Sequence, residues 1–306
     1  MIPLLIGIPA VLAVLFQVIR NEKARGYVVY AGAGVLMLTT VIFIWRWIAD
    51  GAQTWTFYPQ TELIDHLMTV GDIVLMCLII YLSVKYKKIL PILLTISQTA
   101  LLLYTEFTAE VVEGPHMMVD WLTILMCIII AFIGGFICIY TVGYMKGYHA
   151  HHTDVQDRQP FFFSMLFLFL AAMFGLVLSQ NLIWIYFFWE ITSVISFLMI
   201  GYTRTPEAVG NSFCALWMNL LGGLGFAVAI ALMAQIYGSV QLTDVVQIGA
   251  LLPLMCLALA GMTKSAQLPF STWLLGAMVA PTPSSALLHS ATMVKAGDYL
   301  LIRISP

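Results

Sequence analysis

The chain has 306 residues, 61% of them hydrophobic and 9% charged, with a mean hydropathy of +0.97. Soluble globular domains carry about 25% charged residues, so this composition excludes them, and a formal net charge of −2 offers no basic surface to nucleic acid. What remains is an all-α polytopic protein whose solvent is the lipid bilayer.

Ten apolar segments follow in chain order, over residues 2–19, 27–48, 67–84, 89–104, 119–142, 161–179, 182–202, 211–236, 250–280 and 284–303. Each is close to the roughly 20 residues that a helix needs to span a bilayer, which predicts about ten transmembrane helices. The ninth is over-long and carries Pro269, with Pro281 and Pro283 behind it, so it is predicted to be a helix broken near Pro269. Broken helices at membrane depth are tolerated only where they face protein or a watery cavity.

Nine of the 13 basic residues fall in alternate loops: Arg20, Lys23 and Arg25; Lys85, Lys87 and Lys88; Lys146 and Arg158; Arg204. The intervening loops carry Asp50, Glu62, Asp65, Glu106, Glu110, Glu113, Asp120 and Asp244. By the positive-inside rule the basic loops face the cytoplasm, and the N-terminus lies outside a multi-pass protein of the cell membrane. Arg46 and Arg303 stand at outer helix ends, where long side chains snorkel. No basic stretch precedes the first segment and its positive charges follow it, so it reads as a retained first helix rather than a signal peptide.

Cys77, Cys127, Cys138, Cys214 and Cys256 fall within spans and form no C-x-x-C pair, which suits packing rather than disulfides or clusters. Gly222, Gly223 and Gly225 follow no strand, so close helix packing is preferred to nucleotide binding. His149, His151, His152, Asp154 and Asp157 crowd one basic loop and read as a solvated loop rather than a metal site, for want of a partner cluster elsewhere. His289 is the only histidine inside a span. That disfavours a haem held by two histidines and suits proton transfer.

Glu190, Lys264, Lys295 and Asp298 are ionisable groups inside spans, with Asp72 nearer an outer end. A charge near the bilayer centre costs about 2.5–3.5 kcal/mol, so each should be buried in protein, partnered or facing water. Glu190 stands nine residues into its segment, near mid-bilayer at about 1.5 Å per residue. On adjacent helices Glu190 and Lys264 would neutralise one another, which permits a static ion pair that fixes packing. It equally permits a working pair, in which Lys264 carries a proton and the charge on Glu190 tunes it. Ser285, His289, Thr292, Lys295 and Tyr299 recur at helical spacing within an arc of about 120°. Such a stripe serves as a proton wire through bound water or as interhelical hydrogen bonding.

Two stretches then resemble a known superfamily. Lys264-Ser265-Ala266-Gln267-Leu268-Pro269-Phe270, Trp273-Leu274, Gly276-Ala277-Met278, Ala280-Pro281-Thr282-Pro283, Ser285-Ala286 and His289 to Gly297 resemble the signature of the antiporter-like membrane subunits. So do Val177-Leu178-Ser179, Asn181-Leu182, Tyr186, Trp189-Glu190, Thr192-Ser193 and Ser196 to Tyr202. This superfamily contains the large membrane subunits of complex I, of the Mrp cation/proton antiporters and of the Ech-type energy-converting nickel–iron hydrogenases. The likeness runs from about Val119 to Arg303 and divides the chain into N-terminal transmembrane helices, 1–118, and an antiporter-like proton-channel core, 119–306. Tyr144 to His152 and Phe161 to Phe163 look most like the Ech-type protein.

The resemblance implies the first inverted repeat of the antiporter-like fold. It implies proton or sodium translocation by Glu190 as switching carboxylate and Lys264 as central carrier, with His289 and Lys295 leading on from it. Iron–sulfur clusters and the nickel–iron centre would lie in partner subunits of a hydrogenase or complex I-like assembly, and none in this chain. Three departures stand out: Leu275-Gly276, where relatives carry proline and a polar or small residue; Asp298, where they carry an aliphatic one; and the end of the chain after one repeat. Asp298 is three residues from Lys295 and is expected to pair with it, pinning its charge. A pumping hydrogenase subunit is the leading expectation, with a subunit of an Mrp-type antiporter or of complex I, or an inactive truncated scaffold, as alternatives.

Overall fold

A computed structural model of the chain describes residues 1–58, 62–109, 111–112, 114–153 and 155–305. Glu110 and Glu113 of the acidic loops and Asp154 of the histidine-rich loop lie outside the described residues.

The first half comprises α1 (Ile2–Val18), α2 (Glu22–Ala49), β1 (Trp55–Phe57), α3 (Glu62–Lys85), α4 (Ile89–Thr108), β2 (Met117–Val119), and α5 (Trp121–Ile128), which a π-turn joins to α6 (Gly135–His151). The second half comprises α7 (Gln159–Leu178), α8 (Leu182–Ile200), α9 (Pro206–Leu232), α10 (Leu242–Ile248), α11 (Leu251–Lys264), α12 (Thr272–Gly276), α13 (Thr282–Ala286) and α14 (Met293–Ile304). Among the described residues seven helices are long and apolar enough to cross a membrane, and α1 and α11 are shorter apolar helices. Each apolar segment of the sequence corresponds to a helix, the ninth to α11 and α12 and the tenth to α13 and α14. The chain is thus a multi-pass, all-α membrane protein.

Local chemistry sets the helix starts. Asn21, Asp120, Asn181 and Thr205 cap α2, α5, α8 and α9, each accepting a backbone N–H of the first turn. Side-chain bonds gather the basic loops at one end of the bundle: Arg25 donates to Gln159, Arg158 to the Tyr202 carbonyl, and His149 meets Tyr202 Oη at 3.1 Å. The acidic loops gather at the other end. There β1 pairs antiparallel with β2, Trp55 opposite Val119, and the Gln180 N–H reaches the His116 carbonyl at 2.8 Å. The helical pattern gives no hint of this strand pair, which satisfies loop backbone groups that have no helix to bond to.

α7 is apolar all round and buried along its whole length, as a central helix must be. Phe16 of α1 packs on Phe163 and Phe167 of α7, with ring centroids 5.9 and 5.1 Å apart. The division drawn at residue 118 therefore crosses packed elements. Gly222 and Gly225 of α9 lie against α11, where an added Cβ would meet Ala260 Cα at 3.3 Å and the Cys256 carbonyl at 3.1 Å. This is the close packing expected of the glycine cluster.

Two expectations need correction. α11 ends at Lys264, and Ala266 has φ +53°, so the break begins well before Pro269, which lies inside it. Trp273 Nε1 donates to the Thr263 carbonyl at 2.9 Å, which also accepts the Ala266 N–H at 3.3 Å. Arg303 does not snorkel to water but pairs with Asp120, donating also to Thr123 Oγ1 at 2.7 Å, and so clamps α14 to the start of α5. Burial works against ionisation of Asp120, but the hydrogen bonds from Arg303 and the Thr123 N–H outweigh it and hold the carboxyl below its ordinary value.

Candidate functional site

Lys264 is the last residue of α11 and 0% exposed. Its ammonium sits where the negative end of the helix dipole favours a cation. Nζ donates to the Trp189 carbonyl at 2.9 Å and to Ser193 Oγ at 2.7 Å, and lies 4.8 Å from the centroid of the Trp189 ring. A backbone carbonyl, a hydroxyl and an aromatic face are all neutral. None of them fixes the proton count of the amine as a bonded carboxylate would.

Glu190 is the next residue after Trp189 on α8 and is 3% exposed. Neither of its carboxylate oxygens makes a well-formed hydrogen bond among the described residues, and its polar neighbour is the Gln98 amide. The ion pairs found among those residues do not include Glu190 with Lys264. The Glu190 carboxylate instead lies over Gly223 of α9, in the space a Cβ would fill, beside Gln98 Oε1, which would be 2.9 Å from that Cβ. Thr263, the residue before Lys264, lies over the adjacent Gly222. The bonded ion pair is therefore not formed: the Glu190 carboxylate lies over α9, while the Lys264 ammonium is held by Trp189 and Ser193 of α8.

Glu190 ends a cavity of about 400 Å³ between α3, α4, α8 and α9. Asp65, Asp72, Thr95, Gln98, Glu106, His116 and Gln241 line it among others, and Lys264 does not. His116, Gly114 and Gln241 place its mouth at the acidic end of the bundle. At the basic end the same four helices close on an apolar cluster of Ile79, Val194, Phe197, Phe213, Leu216 and Leu220. Among the described residues a cavity lined in part by polar side chains thus runs from the acidic end to mid-helix Glu190.

The remaining residues expected to transfer protons are less connected. The tenth segment is not one helix: a π-turn covers Leu287–Ala291, and Thr292 leaves helical geometry at φ −145°, ψ −54°, before α14 begins. Ser285, His289, Thr292, Lys295 and Tyr299 therefore do not share one continuous helical face. Thr292 Oγ1 donates to the Leu287 carbonyl at 3.0 Å and Tyr299 Oη to the Val177 carbonyl at 2.8 Å, while Ser285 Oγ sits 3.4 Å from the Ala277 carbonyl. These three make backbone hydrogen bonds. His289 Nε2 is buried without a partner among the described residues. Lys295 pairs with Asp298 at 3.2 Å, their side chains 45% and 34% exposed, on the outside of the bundle.

Asp72, Thr95, Gln98 and Glu106 as a group escape the sequence reading, because only the packing of α3 and α4 on α8 and α9 brings them together. Gln98 and Thr95, polar and one turn apart inside an apolar span, are the available signal. Among the described residues no group of three His, Cys, Asp or Glu side chains is placed to hold a metal ion. In the histidine-rich loop His149 lies 3.6 Å from Asp157, and His152 stacks on Tyr148.

Comparison with known proteins follows the same outline. Residues 179–306 match the family model "NADH:quinone oxidoreductase/Mrp antiporter, TM", and residues 115–153 match "NADH-Ubiquinone oxidoreductase (complex I), chain 5 N-terminus". The chain is 33% identical over 268 residues to the A1 subunit of the Na(+)/H(+) antiporter of Staphylococcus haemolyticus, covering 79% of this chain and 32% of that one. It is 38% identical over 206 residues to the A/B subunit of a probable K(+)/H(+) antiporter of Rhizobium meliloti, covering 62% of this chain and 21% of that one. It therefore spans about a third or less of the length of these curated relatives. An Mrp complex from Dietzia superposes with a TM-score of 0.66 at 25% identity, over 99% of this chain and 27% of that one. An archaeal membrane-bound sulfane sulfur reductase superposes with a TM-score of 0.65 at 16% identity, over 98% of this chain and 52% of that one, a likeness of fold. The named relatives are antiporter subunits, which favours the Mrp alternative over the Ech-type hydrogenase reading. By sequence over residues 115–153 and 179–306, and by fold over nearly its whole length, the chain belongs to the superfamily of antiporter-like membrane subunits.

Proposed function

We propose that this chain is part of the large subunit of an Mrp-type antiporter, exchanging a monovalent cation for protons together with other membrane subunits. The observation that carries the reading is the separation of Glu190 from Lys264. A pair kept for packing would be bonded, because leaving a buried charge unpaired costs several kcal/mol. Here Lys264 is held by neutral groups and Glu190 faces a cavity. In this reading Lys264 takes up and releases the proton, and Glu190 changes charge as the cavity loads, altering the field at Lys264, which is bonded to the neighbouring Trp189 carbonyl. His289 accepts the proton onward through its unpartnered Nε2, and Lys295, released from Asp298, carries it to the edge of the bundle. The basic end faces the cytoplasm, so the cavity opens outward. Redox energy plays no part, in contrast to the hydrogenase reading.

The test is cation-driven proton movement in everted membrane vesicles that contain the complete assembly. Adding sodium or potassium should dissipate a preformed pH gradient, and Lys264→Ala should abolish this with the amount of assembled complex unchanged. Parent-like exchange by Lys264→Ala would contradict the proposal. So would gradient formation that depends on oxidising a reduced electron carrier and ignores the cation.

A further inference from the structure

We propose that the inner end of the cavity binds an alkali-metal cation through Asp72 and Glu190 together with Thr95 Oγ1 and Gln98 Oε1. The proposal rests on the antiport reading and names the place where the exchanged cation loads.

The cavity gathers four carboxyl groups, those of Asp65, Asp72, Glu106 and Glu190, with no lysine or arginine among its described lining residues to balance them. Asp65 accepts Trp184 Nε1 at 2.7 Å, which gives it a structural post at the mouth. Asp72 is within electrostatic reach of Glu190 and Glu106, and none of the three has a basic partner among the described ion pairs. Carboxylates gathered in a low-dielectric space without countercharge must take up protons or cations.

Independently of charge, the inner end holds unmet hydrogen-bonding capacity. Glu190 Oε1 and Oε2, Gln98 Oε1 and Thr95 Oγ1 are all buried and make no well-formed hydrogen bond among the described residues, the Gln98 amide lying beside the Glu190 carboxylate. Gln98 is 2% and Thr95 1% exposed, and both line the cavity. Thr95 precedes Gln98 by one turn of α4, so both project to the same side, and Gln98 Oε1 meets Glu190 over Gly223. Proton uptake by one carboxylate supplies a single donor. A hard cation draws on several oxygens at once, and an all-oxygen set suits sodium or potassium rather than a soft metal. Two carboxylates that interact in one buried cavity favour sharing one proton, which leaves one negative charge for a monovalent ion. A cavity of about 400 Å³ leaves room for the ion to keep part of its water.

Access fits the assignment. The apolar cluster around Phe197 and Phe213 closes the basic end, so an ion entering past Glu106 at the acidic end reaches Asp72 and Glu190 and goes no further until the helices move. Its charge at Glu190 is then felt at Lys264.

The experiment measures equilibrium binding of radioactive sodium to the purified assembly, without turnover, alongside vesicle exchange. Sodium should bind, be displaced by lithium or potassium and not by choline, and bind about tenfold more weakly, roughly 1.4 kcal/mol, in Asp72→Asn and Gln98→Leu, with Asp72→Glu close to the parent. If Asp72→Asn fails to assemble, the near-isosteric Thr95→Val decides, and a several-fold weakening is expected. Parent-like affinity in these variants overturns the site, as does displacement by calcium but not by potassium. A change in the pH dependence of exchange with sodium affinity unaltered marks a proton site and overturns it too. Loss of exchange in Lys264→Ala while Asp72→Asn binds sodium normally sinks the cation site and spares the antiport reading. Parent-like exchange in Lys264→Ala sinks that reading whatever sodium does.

Discussion

Glu190 and Lys264 do not bond to each other: the Glu190 carboxylate lies over Gly223 of α9, whereas Lys264 Nζ bonds to Trp189 and Ser193 of α8, and Thr263, the residue before Lys264, lies over Gly222. Two side chains that would cancel in a static pair are directed to different partners around α8, close enough for the charge of one to act on the other. The lack of a side chain at residue 223 is what lets the carboxylate sit there.

Gly223→Ala should consequently act on transport before it acts on folding. Its Cβ would overlap Glu190 Oε1, the free end of a flexible side chain, and would push the carboxylate out of place. Gly222→Ala meets the β-branched Thr263 and the Ala260 backbone instead, which cannot step aside, and should destabilise by about 1–3 kcal/mol. Thermal melting and vesicle exchange on both variants check this. A Gly223→Ala protein that melts early, or one that exchanges normally, would contradict the arrangement.

Gly297 of α14 is a second close crossing. An added Cβ would meet the Gly261 carbonyl and the Ser265 N–H at 2.5 Å, both backbone. Gly297→Ala should therefore lower the melting midpoint by an overpacking cost of about 1–3 kcal/mol. Gly210→Ala on α9, with nothing within 4 Å of the new methyl, should hold or slightly raise it, by about 0.5–1 kcal/mol. Equal midpoints for the two variants would count against the α11–α14 crossing.

The Asp120–Arg303 clamp predicts a pH dependence. The folded-state carboxyl of Asp120 lies below its ordinary value, so its contribution is complete above the unfolded value of about 3.9 and is lost as the pH falls through the lower folded-state value. Asp120→Asn should melt below the parent at neutral pH, and the gap should close in strong acid. Melting curves of both proteins across the acid range check it. A gap of constant size would place the stabilisation elsewhere.

The sequence shows the spans clearly because bilayer length and apolar runs dictate them. The basic and acidic loops likewise sort to the two ends of the bundle. Pro269 signals the broken ninth segment, though the helix stops earlier, at Lys264, because Ala266 turns left-handed and Trp273 captures the Thr263 carbonyl. The interruption at Thr292 carries no such mark: no glycine or proline stands between Ser284 and Lys295, although a π-turn precedes it. That is why the stripe from Ser285 to Tyr299 reads as continuous in the sequence and is not. Glu190 and Lys264 stand out as charges in apolar runs, but whether they touch is decided by the packing of α8, α9 and α11, which sets Glu190 over Gly223 and Lys264 on Trp189 and Ser193. Asp72, Thr95, Gln98 and Glu106 lie on two peripheral helices, and only the fold makes them one cavity. Tyr144 to His152, which suggests the hydrogenase protein, serves packing here, with Tyr144 Oη 3.2 Å from the Thr282 N–H and His149 on Tyr202.

The central claim is that Glu190 and Lys264 work as a charge-coupled carrier pair, and exchange by the neutral double variant Glu190→Gln/Lys264→Met in the complete assembly tests it most directly. The variant removes both buried charges and so avoids the roughly 3–5 kcal/mol cost of stranding one. It should assemble to parent levels yet show no cation-driven proton exchange. A double variant that assembles and exchanges like the parent would show that the two residues serve packing alone, and that protons cross by another route.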